Sequence, residues 1–154
     1  MTEYEMILRL VLALILGALI GIERVHAGKS AGVRTLGLVA LGASLFIVIS
    51  ESVVRSYGFE VDPLRVAANV VMGVGFLGGG MIIFNGDSLS NLTTAAGVWV
   101  AAAIGMAVGF GMYGVAIVTT LLVIITFTLM WHIEEYLKKL FGKRKKSIIQ
   151  HLEE

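Results

Sequence analysis

Residues 88–133, SLSNLTTAAGVWVAAAIGMAVGFGMYGVAIVTTLLVIITFTLMWHI, contain no Lys, Arg, Asp or Glu. A charged side chain at a bilayer centre costs roughly 2.5–3.5 kcal/mol on insertion scales, so an uncharged run of this length marks hydrocarbon. One spanning helix needs about 20 mostly apolar residues. This run is more than twice that long and suits two helices joined by a tight turn, which Gly109, Gly111 and Gly114 can supply. Working outward, Arg65 and Asp87 enclose another uncharged stretch. Leu10–Ile22 and Leu36–Ser50 are shorter. The first reaches spanning length if it takes in Met6–Arg9 and Arg9 snorkels to the near interface. The second does so if it runs to Val54, with Glu51 at the headgroups or inside the bundle. The reading is five spans, near 6–23, 34–54, 64–84, 93–109 and 112–132. The fold class is therefore all-α integral membrane: a five-helix domain over 1–132 and a tail over 133–154.

Composition agrees. Of 154 residues, 57% are hydrophobic and 15% are charged, where soluble domains average about 25%. Mean hydropathy is +0.90. A water-soluble fold of this size has too little interior to hide that much apolar surface. An ordinary globular enzyme, a disordered chain and a nucleic-acid-binding domain are excluded. With no cysteine in the chain, disulfides, iron–sulfur clusters and Cys-type zinc sites are excluded too.

Lys and Arg in the short loops set the orientation. The first loop carries Arg24, Lys29 and Arg34, and the tail carries Lys138, Lys139, Lys143, Arg144, Lys145 and Lys146. Five spans put both on one side, the cytoplasm, and leave the N-terminus outside. An even number would separate them. Met1–Glu5 is acidic, so the first apolar segment does not read as a signal peptide and is expected to remain in the mature chain. In the tail, Ile133, Tyr136, Leu137, Leu140 and Phe141 share one helical face, Lys138 and Lys139 the other, and Gly142 can end the helix. This reads as a short amphipathic helix drawn to anionic lipid, or as a plain positive-inside signal.

Helices associate in lipid through small residues that let backbones approach. Three GxxxG patterns occur: Gly17 with Gly21, Gly75 with Gly79, and Gly105 with Gly109. Each can pack helices within the chain or form a homo-oligomer interface, a dimer first of all. Asp62-Pro63 reads as the N-cap and first residue of the third helix. Five glycines between Gly73 and Gly80 each weaken that helix by about 1 kcal/mol relative to alanine. A continuous helix held tightly by its neighbours is the favoured reading. The alternative is a broken helix of the transporter kind.

Several formal motifs fail on context. Gly73, Gly75 and Gly78 spell GxGxxG, but inside a membrane-length run rather than at a strand-to-helix turn. Gly28-Lys-Ser-Ala-Gly32 spells GxSxG without the strand–turn–helix setting of a nucleophile elbow. Gly28-Lys29-Ser30 lacks the upstream glycine of a phosphate loop. The chain shows no catalytic machinery and is read as a non-enzyme.

What remains is a polar set at the helix ends: Glu23, Arg24, Arg34, Thr35, Asp62, Arg65, Asn69, Thr93 and Thr94. Glu23, Arg24, Arg34, Asp87, Thr93 and Thr94 should gather at the cytoplasmic ends. Caps, ion pairs and anchors account for most of them. A polar vestibule is the functional reading, in which Glu23 and Asp87 could ligate a hard cation such as Mg2+; no other cofactor is expected.

On these residues the chain resembles the MgtC/SapB/YhiD family of bacterial membrane proteins. The resemblance lies in GALIGIER (17–24), AGVRT (31–35) and LVALGA (38–43), then DPLR (62–65) with VGFLGGG (74–80), and LTTAA (92–96) with Trp99 and AAIG (102–105). It implies a five-helix inner-membrane domain with a cytoplasmic C-terminus and a place in adaptation to low magnesium or acid stress. The chain is expected to consist of the transmembrane domain alone, without the soluble regulatory domain of the best-studied branch.

Two functions follow. One is a non-catalytic regulator that binds a membrane protein or lipid through glycine-rich faces. The other is a channel or transporter for a small ion, for which the resemblance implies magnesium. A permeation path needs polar groups at the midplane, and the candidates are few: Ser44, Asn69, Thr119 and Thr120. This favours the regulator.

Overall fold

The structure, a computed structural model, describes residues 1–57, 62–85 and 88–153. Five helices are long and apolar enough to cross a membrane. They are α1 (Glu3–His26), α2 (Val33–Tyr57), α3 (Pro63–Met81), α4 (Leu92–Gly109) and α5 (Tyr113–Glu153). Between α3 and α4 the chain forms a small antiparallel ribbon, Ile83–Asn85 with Ser88–Ser90. The third span therefore stops at Met81 rather than 84. Ile82 is already extended, and strand pairing takes up the backbone groups that a longer helix would have used.

The helix ends follow local chemistry. Thr2 caps α1, its Oγ1 accepting from the Glu5 N–H at 3.3 Å. Asp62 caps α3, its Oδ1 accepting from the Leu64 N–H at 2.9 Å, with Pro63 in the first turn. Both satisfy donors that a helix start leaves free. Asn91 opens α4 in the left-handed region at φ 65°. Its side-chain amide donates to the Met81 carbonyl at 3.3 Å, which ties the end of α3 to the start of α4. Of the three glycines placed at the α4–α5 turn, only Gly111 takes a positive φ, 77°. Gly109 belongs to α4 and Gly114 to α5.

The core is built by close approach through glycine. On α1, a Cβ at Gly17 would lie 2.7 Å from Ala40 Cβ, and one at Gly21 would strike the Val33 backbone. On α4, a Cβ at Gly105 would collide with the Ala40 backbone, and one at Gly109 would lie 2.8 Å from Ile47 Cβ. Ala40 of α2 is thus held between glycines of α1 and α4 and is fully buried. These two GxxxG motifs pack within the chain. The apolar layer around them includes Ala13, Leu16, Ile20, Leu36, Val98, Ile104 and Val108.

The third motif behaves differently. α3 is continuous, but Gly73, Gly75, Gly79 and Gly80 have nothing within 4 Å of an added Cβ, and Met72 and Phe76 are exposed. Only Gly78 meets a neighbour, Ala95 of α4. The expectation of tight packing around this helix is overturned. It packs on α4 and, more lightly, on α2, with Val70 and Val74 turned to the core, and leaves an apolar groove of about 660 Å³ against α2, lined by Leu38, Gly42, Phe46, Asn69 and Gly73 among others. The backbone of α5 runs through Gly142, where a stop is expected, to Glu153. A single helical glycine costs about 1 kcal/mol and does not by itself end a helix. The tail side chains from Lys138 on, Leu140, Phe141 and the basic run among them, lie outside the described residues.

Candidate functional site

Helix α1 carries two buried arginines, one near each end, and the bundle treats them differently. Arg9 is 7% exposed. Its Nε donates to the Tyr113 hydroxyl at 3.1 Å, and Nη1 donates to the Gly109 carbonyl at 2.6 Å and to Glu51 Oε2 at 3.1 Å. Nη2 donates to Glu5 Oε1 at 3.0 Å. Arg9 does not snorkel. The close α4–α5 turn places a carbonyl and a phenol beside it, and Glu51, partly buried on α2, completes the pair. The guanidinium thereby joins α1, α2, α4 and α5 at one end. The sequence reading raised Glu51 as an interior group but did not connect it with Arg9. Their separation of 42 positions carries no local signal.

Arg24, at the other end, is 4% exposed. Its guanidinium carbon sits 4.3 Å above the Phe127 ring centroid, a cation–π contact. Nη1 lies 3.7 Å from Glu23 Oε2, an ion pair beyond hydrogen-bond length. Arg24 Nη2 and Glu23 Oε2 are both buried without a hydrogen-bond partner. Phe127 reaches this position because α4 has Gly97 there: a Cβ would lie 3.1 Å from the ring.

Around Arg24 opens a cavity of about 550 Å³ between α1, α4 and α5. Arg24, Lys29, Thr93, Thr126, Trp131 and Glu134 give it polar or amphipathic walls, and Ala96, Val100, Val123, Phe127 and Met130 give it apolar ones. Of the polar set read from sequence, Glu23, Arg24 and Thr93 come together here. Thr94 is buried on the next position of α4. Arg34 and Thr35 are exposed at the start of α2 and do not line the cavity. Asp62, Arg65 and Asn69 belong to the start of α3, where Arg65 and Asn69 are exposed. Asp87 lies outside the described residues, so the Glu23–Asp87 cation pair cannot be assembled from them. Among the described residues no group of three His, Cys, Asp or Glu converges as a metal site, and the neighbour facing Glu23 is a guanidinium. Lys29, Thr126, Phe127, Trp131 and Glu134 were not anticipated as site residues. Phe127 and Trp131 are four apart on one α5 face, but a lipid-facing aromatic pair has the same spacing.

Residues 10–136 match the model of the MgtC family. A protein of Escherichia coli K12 named "Putative magnesium transporter YhiD" is 46% identical over 143 residues, covering 82% of this chain and 64% of the relative. Protein MgtC of Salmonella typhimurium is 40% identical over 124 residues, covering 80% of this chain and 52% of the relative. An uncharacterised Synechocystis protein is 40% identical over 121 residues, covering 79% and 50%. The chain thus spans between half and two thirds of the length of these relatives. No solved structure matches it.

Proposed function

The chain belongs to the MgtC family, and we propose that it is a non-catalytic inner-membrane protein that regulates another membrane system, in adaptation to magnesium limitation or acid stress. The observation that carries this reading is the division among its glycine motifs. Two close the bundle on itself, and the third, Gly75 and Gly79 on α3, faces open space beside exposed Met72 and Phe76. In lipid such a face is a ready surface for another helix. A homodimer through α3 is the expected assembly, and another membrane protein the competing occupant. In the proposed orientation the N-terminus and the Arg9 network face outward, and the Arg24 cavity and the tail face the cytoplasm.

The bundle interior supports a regulator over a conduit. Between Arg9 and Arg24, α1 presents Ala13, Leu16, Gly17 and Ile20 to its neighbours, all buried and apolar. A divalent cation moving along this helix would meet a buried guanidinium near each end, and like charge in a low-dielectric medium is strongly repulsive. The competing reading, a magnesium channel or transporter, has the printed name of the E. coli relative behind it. Purified protein in proteoliposomes separates the two. The expected result is no magnesium uptake above empty vesicles, together with a disulfide-linked dimer when Gly79→Cys is oxidised in native membranes. Protein-dependent magnesium flux would replace the regulatory reading with the transport one.

A further inference from the structure

We propose that the cavity around Arg24 binds a phosphate group, best matched by the singly charged phosphodiester of a phospholipid headgroup. The two arginines of α1 provide the comparison. Arg9 has protein acceptors for all three of its nitrogens. Arg24 is buried at least as deeply, yet its Nη2 has no acceptor and its ion pair with Glu23 is stretched to 3.7 Å. Phe127 supports the charge from the ring face but offers no lone pair in the guanidinium plane. A buried guanidinium with one nitrogen left without an acceptor is expensive, and Arg24 lines a cavity large enough to admit one. The missing chemistry is an anionic oxygen, and the planar fork of arginine suits phosphate.

Charge and wall composition narrow the source. Arg24 and Lys29 bring two positive charges, while Glu23 and Glu134 bring two carboxylates to the same region. A singly charged phosphodiester suits that balance better than inorganic phosphate, which is more negative at neutral pH. The lining is mixed in the way a lipid requires. Thr93 carries a hydroxyl, while Val100, Val123 and Met130 form an apolar wall against which acyl chain can lie. Trp131 also lines the cavity, is half exposed, and is a residue type enriched at headgroup level. The inference does not depend on whether the chain regulates or transports, and dimerisation through α3 plays no part in it.

The test uses the full chain purified in detergent, with thermal unfolding and native mass spectrometry as readouts. The probes are phosphatidylglycerol, diacylglycerol, which lacks the phosphate, and inorganic phosphate. Phosphatidylglycerol is expected to raise the unfolding temperature and to remain bound at about one molecule per chain, and diacylglycerol to do neither. Arg24→Gln should weaken the phosphatidylglycerol response roughly tenfold or more, the scale of a charge-assisted hydrogen bond. Arg24→Lys should fall between, since it keeps charge but loses the fork. If Arg24→Gln does not fold, Lys29→Gln and Thr93→Val carry the test, each expected to weaken the response several-fold. Stabilisation by inorganic phosphate that needs Arg24 or Lys29, without a phosphatidylglycerol effect, keeps the phosphate site and assigns it a soluble ligand. No stabilisation by either probe, or the same stabilisation in wild type and in every folded variant, overturns the proposal.

Discussion

Arg9 and Arg24 lie on one helix and are both buried, yet they pose opposite problems. Arg9 has its hydrogen bonds made for it, by Glu5, Glu51, Tyr113 and the Gly109 carbonyl. Removing one member of a buried charge pair leaves the other uncompensated and costs about 3–5 kcal/mol in proteins at large. Arg9→Leu should therefore destabilise the bundle by roughly 3 kcal/mol, and Arg9→Leu with Glu51→Leu should recover part of that loss. Unfolding in mixed micelles measures both, and a double variant no better than the single one would show that the pair is not coupled. At Arg24 the supporting group is an aromatic face. Phe127→Leu should lower stability by about 1–2 kcal/mol, the range for a desolvated cation–π contact. The same unfolding assay checks it, with Phe127→Tyr expected to keep most of the effect. Neither arrangement was legible from the sequence. Arg9 reads as a snorkelling anchor and Arg24 as a helix-end charge, because their partners are far away along the chain and no local spacing links them.

At the scale of the helices, three identical-looking glycine motifs have two different fates. Gly105→Ala places a methyl group against the Ala40 backbone, which cannot yield as a flexible side chain would. It should cost about 1–3 kcal/mol or more, the range for overpacking, and separate α4 from α2. Gly75→Ala and Gly79→Ala meet nothing within 4 Å. Each should leave the monomer fold intact and gain up to about 1 kcal/mol of helix propensity. Helicity and unfolding midpoints of the three variants give the order directly. If α3 is a dimer face, bulky Gly75→Leu should reduce crosslinking through Gly79→Cys without unfolding the protomer. The sequence announced that all three motifs could hold helices closely. It could not say which had a partner, since GxxxG describes one surface and packing requires two. The element boundaries were more legible. The N-cap Asp62 and the first-turn Pro63 of α3 lie where sequence puts them, because capping is local. The ribbon after α3 was missed, for its strands are only three residues each.

For the whole molecule, the expectation is that the first loop and the tail share a side. The chain has no native cysteine, so single cysteines report cleanly. Arg65→Cys at the start of α3 should react with an impermeant maleimide in intact cells, and Lys29→Cys should react only after permeabilisation. The reverse pattern would invert the proposed topology. The number of spans and their membrane nature were determined by the sequence alone. Those properties depend on transferring each segment into hydrocarbon, an energy that is nearly additive along the chain and needs no neighbour. Tertiary structure decided the rest: Ala40 held between two glycine helices, α3 left with an open face, and one arginine satisfied while the other looks onto a cavity. Contact and hydrogen bonding are pairwise, and they exist only once the chain has placed both partners in one spot.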